Sequence, residues 1–156
     1  MKFISTDKIL KDNSLIHIRE GAESDANELS SVVKEYVEES EFIPYAIGEF
    51  NQTTEAERNW IISFSQITNG LLLVAEKEGR IVGNITINGN NREMLKHTAV
   101  VGLGILKEFR HLGIGSILLE TVISWAKEYS TLEYLSLETY KTNIIGLNLY
   151  KKFGFE

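Results

Sequence analysis

The chain has no cysteine, one proline and three histidines in 156 residues. Without cysteine it has no thiol nucleophile, no disulfide framework and no thiolate zinc site, and it suits a reducing compartment, so a cytoplasmic location is expected. His17, His97 and His111 fall at no metal-ligand spacing, so no metal is expected. Nowhere do 18 apolar residues run together, and the first seven residues lack the apolar core of a signal segment, so no membrane partner is expected. The lone proline and scattered glycines leave no long flexible linker, and no stretch repeats. Acidic residues outnumber basic ones 22 to 16, for a net charge of −6. That balance disfavours nucleic acid as a partner and suits either a cationic ligand or plain solubility.

What is present reads as one domain over residues 1–156, with enough chain to bury about 68–70% of its unfolded surface. Residues 1–13 look like a loosely structured lead-in. Leu15-Ile16-His17-Ile18-Arg19 alternates as a first strand. Asp25 with Glu28 opens a helix whose apolar face is Leu29, Val32, Val33, Tyr36 and Val37. Residues 38–50 break that rhythm as an acidic, aromatic loop. There Glu39, Glu41, Tyr45 and Glu49 could attract a cation or serve only as solvated charge. Thr54 with Glu57 opens a second helix, with Ala56, Trp60, Ile61, Phe64 and Ile67 expected inward. Residues 71–76 and 81–87 flank Glu78-Gly79 as a hairpin. A long strand over 97–106, a helix over 114–129, a strand over 134–138 and a last helix from Asn143 complete the order β-α-α-β-β-β-α-β-α. The fold class is α/β with a mixed sheet.

Between the long strand and the helix that follows it stands Arg110-His111-Leu112-Gly113-Ile114-Gly115, with Ser116 in the first helical turn. A helix N-terminus carries unpaired N–H groups and about half a positive charge, and glycines there let an anion approach the backbone. A pyrophosphate cradle is one reading, and a tight strand-to-helix turn is the other. Leu118 stands where a Rossmann fingerprint needs its third glycine, and no Gly-Lys-Ser/Thr closes a P-loop.

This Arg-x-x-Gly-x-Gly spacing resembles the acetyl-CoA loop of the GCN5-related N-acetyltransferases (GNAT). Asn143-Ile144-Ile145-Gly146-Leu147-Asn148-Leu149-Tyr150-Lys151-Lys152-Phe153-Gly154-Phe155 resembles that family's second signature, with Gly146 in place of its small alanine. The resemblance spans about residues 15–155 and implies a mostly antiparallel sheet flanked by helices. It implies acetyl-CoA as cosubstrate and direct acetyl transfer to a primary amine, on a small molecule or a protein N-terminus. Arg110, His111, Leu112, Gly113, Ile114, Gly115 and Ser116 would hold the pyrophosphate. Leu103, Gly104 and Ile105 would lie beside the pantetheine arm. Tyr150 would be the general acid. Asn143 would bind the cofactor arm, cap its helix, or do both. Glu138 would be the general base, with His97 as rival. Family members continue for two strands beyond the Gly-Phe, and here none follows Glu156. That leaves open a homodimer that covers the sheet edge, and a second reading as a non-catalytic CoA-binding or structural domain.

Overall fold

The computed structural model describes residues 1–45 and 49–156. A hairpin begins it: β1 (Thr6–Ile9) pairs antiparallel with β2 (Leu15–Glu20). The expected loosely structured lead-in, residues 1–13, therefore contains a strand. It is hard to see in sequence because β1 lies at the sheet edge and its side chains are mostly exposed, so no apolar alternation marks it.

Two helices follow, α1 (Ala26–Glu39) and α2 (Thr54–Gln66). The inward face of α1 carries the five residues its periodicity predicts, Leu29 through Val37. On α2 the face is rotated from expectation. Thr53 is the N-cap, its Oγ1 accepting from the Ala56 N–H at 3.1 Å. The buried positions are Glu57, Ile61 and Phe64, while Ala56 is exposed.

The hairpin of β3 (Leu71–Lys77) and β4 (Arg80–Gly89) turns at Glu78-Gly79, both with positive φ. Such a turn matches the strand twist. Next come β5 (Thr98–Ile105), α3 (Ile114–Tyr129), β6 (Tyr134–Ser136) and α4 (Ile144–Lys152). The six strands among the described residues lie in sequence order, all antiparallel except the parallel β5–β6 pair.

The sheet separates two apolar cores. Leu71, Leu73 and Ala75 face α3 with Leu118, Leu119, Val122 and Trp125, and α4 adds Leu149 and Phe153. Leu72 and Val74 face α1 and α2. Burial on both faces explains why β3 reads as a continuous apolar run. The register shifts between Ala75 and Glu76, a bulge that twists β4 locally.

A candidate acyl-transfer site

The Arg110–Ser116 segment runs from a 3-10 turn at Lys107–Phe109 into α3. Gly113 is the N-cap at φ 95°, a left-handed conformation that glycine adopts without penalty. His111 also has positive φ, 66°. No described side chain caps α3, so its first N–H groups remain available to an anion. The Arg110 Nε donates to the Ile105 carbonyl at 3.1 Å, which ties the loop to the end of β5. The β1–β2 turn rests on the same loop. The Lys11 N–H donates to the Leu112 carbonyl at 3.0 Å. The Lys11 stem passes 3.6 Å from the place a Gly113 Cβ would take. The sequence reading missed this cation because about 100 residues separate it from the loop.

Beside the loop, β5 loses its neighbour. β6 pairs only with Thr98, Ala99 and Val100, so, among the described residues, 101–105 have β4 on one side and no strand on the other. Hydrogen bonds fix which groups face the gap. The Leu106 N–H donates to Val82, and the Thr98 carbonyl accepts from Asn90, so even-numbered residues of β5 point to β4. Alternation leaves the main-chain groups of Val101, Leu103 and Ile105 facing the gap. Of the three expected pantetheine contacts, Leu103 and Ile105 thus face the gap, with the Ile105 carbonyl already taken by Arg110. Gly104 corrects the expectation. Its main chain belongs to the β4 ladder, and a Cβ there would stand 2.3 Å from the Tyr36 ring. Close approach to Tyr36 is what requires glycine at that position.

The start of α3, the end of β5 and α4 converge. A Cβ on Gly115 would lie 3.3 Å from Leu149, 3.5 Å from Ile105 and 3.8 Å from Leu103. Next to Leu149 is Tyr150, half-buried, its ring edge-on to Phe155 at 6.2 Å. Burial raises its pKa above the ordinary tyrosine value. The Asn143 side chain is committed locally: Oδ1 accepts from the Gly146 N–H at 3.0 Å and Nδ2 donates to Thr139 at 3.1 Å. It is the N-cap of α4.

Both expected bases are exposed. β6 ends at Ser136, so Glu138 lies beyond the strand rather than at its end, and it is exposed. His97 precedes β5 instead of lying within it, at the end away from Ile105, and is also exposed. Its carbonyl accepts from Glu133 and Tyr134.

On the opposite face of β4 and β5 a cavity of about 470 Å³ opens between α1, α2 and the loop that joins them. Asn84, Thr86, Gly102 and Leu103 form its floor. Tyr45 and Phe50 of the acidic loop contribute to the wall, their rings 5.4 Å apart edge-on. Residues 46–48 of that loop lie outside the described residues. The cavity holds a carboxylate that sequence reasoning placed only as a helix-start signal. Glu57 is 1% exposed. Its Oε2 accepts from Gln52 Nε2 at 2.9 Å, and its Oε1 has no hydrogen-bond partner among the described residues. Burial pushes its pKa up to about 7. The available signal was positional, since Glu57 shares a helical face with Ile61 and Phe64 at i+4 and i+7.

The family model described as the acetyltransferase (GNAT) family matches residues 32–155. The chain belongs to this family. An acetyltransferase of the GNAT family from Streptococcus pneumoniae superposes with a TM-score of 0.86 at 28% identity, covering 90% of this chain and 84% of that one. An N-alpha-acetyltransferase of Sulfurisphaera tokodaii is 35% identical over 91 residues, 53% of this chain and 54% of that protein. The L-amino acid N-acetyltransferase AaaT of Escherichia coli is 29% identical over 84 residues, 54% of this chain and 52% of that protein. The chain thus spans about half the length of the curated relatives it matches. In this GNAT chain the uncapped α3 terminus, the free β5 edge and the Lys11 and Arg110 cations suit an elongated pyrophosphate-bearing ligand such as acetyl-CoA.

Proposed function

We propose that the protein is an N-acetyltransferase that uses acetyl-CoA as cosubstrate and a primary amine as acceptor. The observation that carries this reading is the continuity of the uncapped α3 N-terminus with the unpaired β5 edge. A phosphate-binding end and an amide-binding edge in line suit a pyrophosphate joined to an amide-containing arm. The first-turn N–H groups of α3, with Arg110 and Lys11, hold the pyrophosphate, and Leu103 pairs with the arm. Acetyl-CoA, when bound, supplies an activated thioester.

An alkylamine of pKa about 10.4 is neutral in only about one molecule in 10³ at pH 7, so a base must take its proton. Glu138 is the candidate carried from the sequence, acting through solvent from its exposed position. Tyr150 holds a proton for the departing thiolate, and its raised pKa keeps that proton in place near neutral pH. A cytoplasmic site of action belongs to the same reading and is supported by the cysteine-free sequence. Among the described residues, no helix is long and apolar enough to cross a membrane. A second copy of the chain is the proposed protein partner. The β6 edge with its exposed Tyr134, and the exposed Ile144 and Ile145 of α4, support that pairing. A monomer at every concentration in sedimentation would overturn it.

The deciding experiment is calorimetric titration of acetyl-CoA into the wild type and Gly113→Glu. Micromolar binding to the wild type, lost in the variant, is expected, because glutamate adds a negative charge and a Cβ at positive φ. A folded wild type that does not bind acetyl-CoA overturns the proposal.

A further inference from the structure

Every described side chain that lines the α1–α2 cavity is apolar, aromatic or neutral polar, except one. Val33, Ile43, Phe50 and Trp60 make apolar walls, Asn84 and Thr86 a polar floor, and Glu57 supplies the only formal charge. Lysine, arginine and histidine are absent from the described lining. A buried carboxylate normally has both oxygens hydrogen-bonded, because leaving one unmade costs the desolvation of that oxygen. Here Gln52 satisfies Oε2 and nothing described satisfies Oε1. Glu57 thus lines the cavity with one buried oxygen that has no described hydrogen-bond partner.

We propose that Glu57 is the docking group for the acceptor's ammonium, and that the acceptor is a primary amine with an apolar body and no carboxylate beside the nitrogen. This rests on the acetyltransferase reading and names its substrate class. The ammonium supplies the N–H donor that Oε1 lacks and the positive charge that a desolvated carboxylate requires. The apolar body packs among Trp60, Phe50 and Ile43. A carboxylate next to the amine would enter a cavity with no described cation to receive it and with Glu57 to repel it. Free α-amino acids are thereby disfavoured, although the amino-acid acetyltransferase AaaT is among the relatives. The cavity also adjoins the transfer route, because Leu103 both lines it and faces the β5 gap on its main-chain side.

The test compares two ligands that share a body. Phenethylamine and phenylalanine differ by one carboxylate. Each is titrated calorimetrically into the wild type and into Glu57→Gln, with and without saturating acetyl-CoA-derived CoA. The wild type should bind phenethylamine at least about tenfold more tightly than phenylalanine. Glu57→Gln should weaken phenethylamine by about tenfold or more, the usual size of a lost charged hydrogen bond. Its affinity for acetyl-CoA should not change, which also reports that the variant is folded. Equal binding of the two ligands by the wild type, no binding of either, or an unaltered Glu57→Gln overturns the inference. Should the variant fail to fold, the wild-type comparison of the two ligands still decides. Loss of acetyl-CoA binding by the wild type is a different result and overturns the acetyltransferase reading instead.

Discussion

At the scale of single residues, Glu57 shows how burial and charge set a measurable pH dependence. Burial raises its pKa from 4.5 to about 7. A carboxyl group raised in this way favours the folded state in its neutral form. Its contribution is complete below about pH 4.5 and is lost as the pH rises through about 7. Tyr36, which senses Glu57, is itself raised by burial and donates to Asn84 at 3.0 Å, so it stays neutral across that window. Glu57→Gln should therefore unfold at a higher temperature than the wild type at pH 8, with the gap closing by about pH 4.5. Thermal denaturation followed by circular dichroism at both pH values checks this, and a pH-independent gap would contradict it. Tyr150 makes a kinetic prediction. Tyr150→Phe removes a proton donor and preserves the ring packing against Phe155. Turnover should fall about 10²–10⁴-fold while acetyl-CoA affinity holds.

At the scale of elements, β5 carries most of the site. Its even residues serve the β4 ladder, its odd residues face the gap, and Gly104 accommodates Tyr36 of α1. Gly104→Ala should destabilise the fold by about 1–3 kcal/mol, the usual cost of overpacking, as read from chemical denaturation. The Lys11 turn joins the proposed pyrophosphate cradle only through folding of the β1–β2 hairpin onto Leu112. Lys11→Ala should weaken acetyl-CoA binding and reduce its salt dependence, since one exposed cation facing a pyrophosphate is lost. Titration at two ionic strengths checks both.

At the scale of the whole molecule, the N-terminal segment acts as a clasp. The Lys2 ammonium donates to the carbonyls of Phe64 at 2.7 Å, Ile67, and Gly70 at 2.8 Å. In return the Trp125 indole N–H donates to the Lys2 carbonyl at 2.9 Å. The end of α2, the start of β3 and the middle of α3 are joined through one residue. Deleting residues 1–5 should lower the unfolding temperature by several degrees, since hydrogen bonds to a charged group contribute about 1.5–3 kcal/mol each. Unchanged stability would show the clasp to be dispensable.

The residue pattern by itself determined the alternation of β2, the inward stripe of α1, the hairpin at Glu78-Gly79 and both family signatures. Each is a local signal, written in neighbours a few positions apart. Tertiary structure decided the rest, because those features depend on what lies opposite. Edge strand β1 carries little apolar signal, since water covers most of its side chains. Lys2 and Lys11 gain their partners only when distant segments meet. Asn143 fits a cofactor contact and a helix cap equally well in sequence, and the structure shows its side chain engaged as the cap. Glu57 reads as a polar residue in the first turn of a helix, where acidic residues are common. Only the packing of α2 against α1 and the sheet turns it inward, buries it beside a cavity and leaves one oxygen without a described partner. Short-range order follows from side-chain periodicity, whereas desolvation and an unpaired acceptor depend on the whole fold.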